Sequence, residues 1–180
     1  MIKLGKLVKE IMDAPPTDIV QHVSTNAFSS DFVNYIKTVE NSIKKGYNKE
    51  HKMWYPYQDP AGWHIGYGHK IKNNSELEAF KKGASDSDIQ RLLSDDLKIA
   101  NKLVHDYIKR RYKVDVMLTP SQSEMLTDFS FNLGGLEKFP KFVDAILHNR
   151  MDIVKQEYVR NSGGKDLSGR NKAFYDRFLK

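Results

Sequence analysis

An apolar stripe that begins after Ser85 and continues for about 25 residues limits the folds open to this chain more than any other segment. Ile89, Leu92, Leu93, Leu97, Ala100, Val104, Tyr107 and Ile108 recur at helical spacing behind Ser85 as N-cap. At roughly 1.5 Å per residue the helix is ~38 Å long, enough to join two lobes. The 180 residues suffice for a sizeable core in one compact domain of two lobes built around that rod.

The sequence on either side of the rod differs in period. Upstream, Ser29 and Ser30 are N-cap candidates for a helix carrying Phe32, Val33, Ile36, Val39 and Ile43, with Gly46 as its stop. From Tyr47 to Tyr67 the spacing shortens. Trp54, Tyr55, Tyr57, Trp63, Ile65 and Tyr67 are strand formers, and Asp59-Pro60-Ala61-Gly62 is a turn signal, which predicts a small antiparallel sheet. Ser75 with Glu78 fits a capping box for a short helix ending at Gly83. Downstream, Thr119-Pro120 opens a helix through Met125, Leu126 and Phe129 toward Gly134-Gly135, and further helices follow around 140–148, 151–160 and 170–179. Residues 1–28 read as an appendage whose amphipathic piece (Ile2, Leu4, Leu7, Val8, Ile11) stops at Pro15 and Pro16. This order of elements predicts an α+β fold, mostly α, with a sheet lobe at about 47–72, a helical lobe at about 85–180 and a polymer-sized cleft between them.

Composition removes several functions from consideration. With no cysteine there are no disulfides, thiolate nucleophiles or thiolate metal sites. No stretch approaches the ~18 consecutive apolar residues of a membrane span, and the first residues lack the apolar run of a secretory leader. The net charge of +6 fits either a solvated basic surface or a polyanionic partner, whether nucleic acid or an anionic wall polymer. Lys109, Arg110, Arg111 and Lys113 form its one local cluster.

The candidates for chemistry lie before the rod. Glu40, near the end of the first helix, reads either as a solvent-facing carboxylate or as a general acid. Asp59 occupies a turn where aspartate is common for its local hydrogen bond, yet glycosidic cleavage needs a second carboxylate to position water or stabilise positive charge. His64 and His69 would point to opposite faces of a regular strand; with no thiolate and no HExxH spacing, no metal site is expected. His69 reads as a structural hydrogen-bonding residue. The GYGH segment lacks the spacing of a phosphate loop, so no nucleotide cofactor is expected.

Asp59-Pro-Ala-Gly62 followed by Ile65-Gly-Tyr-Gly-His69, with a glutamate near the end of the preceding helix, resembles the phage lysozymes, the endolysin muramidases of glycoside hydrolase family 24. The likeness extends over most of 30–180. SDSDIQRLLSDDLKIANKLV, with Asp96-Leu97, resembles the family's helix bearing an aspartate-leucine pair, and TPSQSEMLTDFSFNLG, with Gln122, Phe131, Asn132 and Gly134, resembles its later segment. The resemblance implies a lysozyme-like fold in which Glu40 is the general acid and Asp59 the second carboxylate. It also implies substrate contacts at Asn132 and Tyr67, and identifies Arg170, in SGRNKAFYDRF, as the basic residue that approaches the acid.

Three departures accompany the likeness. Asn41 stands where the family usually has glycine, and KKGYNKEHKM lengthens the interval between the two carboxylates. His64 stands where the family has threonine, at a shorter interval from Asp59. A threonine hydroxyl can only hold a water, whereas a neutral imidazole can deprotonate that water or attack the anomeric carbon itself, so His64 joins the catalytic set.

The implied activity is cleavage of the β-1,4 bond between N-acetylmuramic acid and N-acetylglucosamine in peptidoglycan, causing lysis or local wall penetration, with no cofactor. No nucleic acid and no stable membrane insertion are expected. The protein would be a monomer unless residues 1–28 bind a virion or a partner. It would be made in the host cytoplasm and act at the wall in the periplasm. A lytic transglycosylase, an inactive lysozyme-like binding or virion module, and a nucleic-acid binder using the 109–113 cluster are the alternatives.

Overall fold

A computed structural model describes residues 28–161 and 167–180; the expected appendage lies outside them except for Phe28. The described residues divide into two compact units, Phe28–Ile99 and Ala100–Lys180.

The first unit opens with α1, Ser30–Asn41, capped by the Ser29 hydroxyl, which accepts from the Phe32 N–H at 3.1 Å. The helix ends at Asn41 instead of running to Gly46, because the Asn41 side chain takes over the terminal hydrogen bonding. Its Oδ1 accepts from the Lys45 N–H at 2.8 Å and its Nδ2 donates to the Lys45 carbonyl at 3.0 Å. Ile43, placed in the apolar stripe by its spacing, is therefore off the helix and 84% exposed.

The expected single sheet is two. Strands β1, Tyr47–Asn48, and β2, Met53–Trp54, make a hairpin from the segment KKGYNKEHKM and the tryptophan that follows it. Strands β3, Tyr57–Asp59, β4, Gly62–Ile65, and β5, His69–Lys70, make an antiparallel sheet in that order. Pro56, with no N–H to donate, separates β2 from β3. Trp54 anchors the unit: it is fully buried, its indole N–H donates to Asp86 at 2.6 Å, and its backbone pairs with Ala84. Ile65, Ile71, Ala84 and Ile89 complete that core.

Helix α2, Asn74–Phe80, is capped by Asn73 and not by Ser75; Asn73 Oδ1 accepts from the Glu76 N–H at 2.9 Å. Asparagine is as good a cap as serine, and this register frees the Glu76 carboxylate to accept from the Lys72 N–H at 2.7 Å. The long helix of the stripe is α3, Asp86–Tyr112, continuous through the boundary between the units.

The second unit is helical. In it, α4, Pro120–Leu133, starts with a full capping box between Thr119 and Gln122 and ends at Gly134 in the left-handed conformation. Residues Gln122 to Ser130 are all buried, so α4 lies inside its neighbours. Its polar side chains are paired accordingly: Ser123 and Thr127 each donate to Asn101 at 3.1 Å, and Ser130 donates to the Ala100 carbonyl at 2.9 Å. Around it lie α5, Pro140–Leu147, α6, Met151–Glu157, and α7, Ser168–Phe178. Phe129 of α4 stacks on Phe142 at 3.8 Å between ring centres and meets Phe174 edge-on at 5.2 Å.

Candidate active site

The β3–β4 hairpin is drawn tight by its turn, where Asp59 Oδ1 accepts from the Ala61 N–H at 2.7 Å and Gly62 adopts a φ of 122°. The register pairs Tyr57 with His64 and Asp59 with Gly62. Because side chains alternate along a strand, Tyr57, Asp59 and His64 share one face while Gln58 and Trp63 take the other.

On that face the buried His64 ring stacks on Tyr57, 6.0 Å between centres and 25° between planes. Its Nδ1 lies 3.1 Å from the Gly62 carbonyl and 3.5 Å from Asp59 Oδ1. Both neighbours can only accept when Asp59 is ionised, so Nδ1 carries a proton; in the neutral tautomer this leaves the lone pair on Nε2.

Glu40 reaches this region from the last turn of α1. It ends beside the glycine-rich turn between β4 and β5, where Gly66 leaves room for Ile89 and Gly68 lies next to the carboxylate. A Cβ on Gly68, at φ 89°, would sit 3.6 Å from Glu40 Oε2, and one on Gly66 would fall 2.5 Å from Ile89 Cγ2. Asn41 fixes the approach, its Nδ2 donating to the Gly66 carbonyl at 2.8 Å. Burial, then the Asp59 and Glu40 carboxylates, raise the Tyr57 phenol above its ordinary value of 10.0, which places both carboxylates within electrostatic reach of one hydroxyl. The Lys45 ammonium lies 5.0 Å from the Tyr57 ring centre.

Tyr67, half-buried, packs against Trp54 at 5.4 Å with the Lys37 ammonium 5.8 Å from its ring centre. His69 is structural: its ring bridges Asp96 at 2.8 Å and Glu76 at 3.3 Å. Those bonds, the one to Asp96 foremost, raise its pKa above the ordinary 6.5.

Asn132 and Arg170 belong to the second unit. Arg170 donates to the buried Asp128 at 2.7 Å, and Asp128 is also bonded by the fully buried Arg160. Arg160 in turn donates to Asn132 Oδ1 at 3.4 Å. Asn132 lines a cavity of about 390 Å³ with Gly134, Glu137, Lys138 and Phe139.

Sequence reasoning overlooked Tyr57, Asn41 as a clamp, and the Asp128–Arg160 pair. Tyr57 could have been found as the residue two before Asp59 on a period-two strand, and Asp128 as the residue one helical turn before Asn132. Arg160, on a segment without regular structure, carries no such local signal.

A family model described as Phage lysozyme matches residues 47–172, a range that includes Asp59, His64, Tyr67, Asn132 and Arg170 and begins after Glu40. The chain is 30% identical over 156 residues to "Peptidoglycan hydrolase gp36" of Enterobacteria phage SP6, an alignment covering 77% of this chain and 16% of that protein. The chain thus spans about a sixth of that relative's length. The α+β architecture, the segment order and a match over more than half its length agree, and the chain belongs to the phage lysozyme family.

Proposed function

We propose that this chain is a peptidoglycan hydrolase of the muramidase type, cutting the β-1,4 bond between N-acetylmuramic acid and N-acetylglucosamine. The observation that carries this reading is the grouping of Glu40, Asp59 and His64 around Tyr57 and Gly68 in a chain of the phage lysozyme family. The name of the phage SP6 relative, a peptidoglycan hydrolase, supports the substrate.

In this mechanism Glu40 gives its proton to the glycosidic oxygen as the carbon–oxygen bond breaks. His64 works through Nε2, either taking the proton of the attacking water or bonding the anomeric carbon as the leaving sugar departs with the Glu40 proton; in the second case water, deprotonated by Glu40, then displaces the imidazole. Its Nδ1–H stays between the Gly62 carbonyl and Asp59, whose carboxylate stabilises the imidazolium that forms. Asp59 thus fills the second carboxylate role through His64. Tyr67 serves substrate binding in the first unit and Asn132 in the second, where Arg170 contributes by holding Asp128, and the phage-encoded enzyme acts at the host wall.

Glu40→Gln is expected to lower kcat by about 10²–10⁴-fold with little change in affinity for wall fragments. Full activity in that variant would remove Glu40 from the acid role. Proton NMR of the freshly released reducing end reads the part played by His64: inversion marks a water-activating base and retention an attacking imidazole.

A further inference from the structure

Asn132 stands on the last turn of α4, half-buried at the wall of the 390 Å³ cavity. Its amide has two unlike ends, one accepting and one donating. The Arg160 guanidinium faces it at 3.4 Å, and a guanidinium has donors only, so the end turned toward Arg160 is oxygen.

Arg160 has little freedom to turn away. It is 1% exposed, its guanidinium carbon lies 4.2 Å from the Phe129 ring centre and 5.1 Å from that of Phe174, and it is bonded to Asp128. Arg170 holds Asp128 from its other oxygen. The amide is planar, so its NH2 points away from Arg160; among the described residues that nitrogen meets no acceptor. Of the charged groups lining the cavity, Glu137 is held by Arg110 at 2.6 Å, and Lys138 brings further donors.

We propose that Arg160 is a positioning residue that fixes the Asn132 amide with its NH2 toward this cavity, so that the second unit takes a carbonyl or carboxylate oxygen of the wall polymer. The proposal rests on the reading of the substrate given above. Two parts of peptidoglycan offer such an oxygen: the acetamido groups of the glycan and the carbonyls and carboxylates of its peptide stem.

Asn132→Asp separates orientation from packing. The carboxylate still accepts from Arg160, but the group turned to the cavity becomes an acceptor. The thermal midpoint is expected to hold or rise, while KM for solubilised peptidoglycan rises roughly tenfold, more than kcat falls. Arg160→Gln, whose amide can donate or accept and so no longer dictates the sense of residue 132, should raise KM in the same direction.

Peptide-free glycan strands and stem-bearing muropeptides form the two arms. A rise on both identifies the acetamido group, and a rise only on stem-bearing fragments identifies the stem. A folded Asn132→Asp protein with unchanged KM on both overturns the proposal. Should the wild-type chain release no sugar from any wall preparation, the proposed activity fails on its own. Calorimetric titration of both proteins with the same fragments then decides the role of Arg160: tighter wild-type binding supports it, and equal affinity overturns it.

Discussion

Asp59 and His64 lie 3.5 Å apart, and that spacing divides their labour. Asp59 Oδ1 is shared between its own turn, through the Ala61 N–H, and the imidazole Nδ1, and in the proposed mechanism the carboxylate acts through His64. Asparagine at position 59 keeps an oxygen for the Ala61 N–H and removes only the charge. His64→Ala is therefore expected to lower kcat on peptidoglycan by about 10²–10⁴-fold, and Asp59→Asn by clearly less. Turnover measured on one wall preparation checks both; an unaltered His64→Ala enzyme, or an Asp59→Asn enzyme that loses as much as Glu40→Gln, would reverse this ordering. His64 stands out in the sequence as a histidine in place of a threonine inside a recognisable glycine-rich segment, and the structure sets it beside Asp59. Asn41 was legible only as an oddity, since the clamp that gives it meaning closes on Gly66, 25 residues away.

At the level of elements, His69 is the fastening of the first unit. It ties β5 to α2 through Glu76 and to α3 through Asp96. Its pKa is raised chiefly by the hydrogen bond to Asp96, so the native state binds this proton more tightly than the unfolded chain. The stabilisation is fully present below the ordinary histidine value of 6.5 and is lost as pH rises through the folded-state value. Asp96→Asn should cost about 1–3 kcal/mol in denaturant unfolding at pH 5.5 and much less at pH 9. A cost independent of pH would show that the pair does not hold a charge. The elements themselves were largely readable, because caps and apolar spacing are local: Ser29, Thr119 and Gly134 all serve as the sequence implied. The single sheet became two because a proline breaks a strand pattern whose aromatic residues continue across it.

For the whole molecule, the α+β fold followed from one long amphipathic helix preceded by short strands and followed by short helices. The candidate site was half readable. Glu40, Asp59 and His64 were proposed from motif order, whereas the network behind Asn132 joins residues separated by 28 and 32 positions in the chain, which no local pattern betrays. Glycosidic hydrolysis is read from the masses of the products that the purified chain releases from peptidoglycan. Fragments ending in a reducing N-acetylmuramic acid, one water heavier than the anhydro form, are expected, and Glu40→Gln should release them about 10²–10⁴-fold more slowly. Anhydro ends, or cuts confined to the peptide stems, would contradict it.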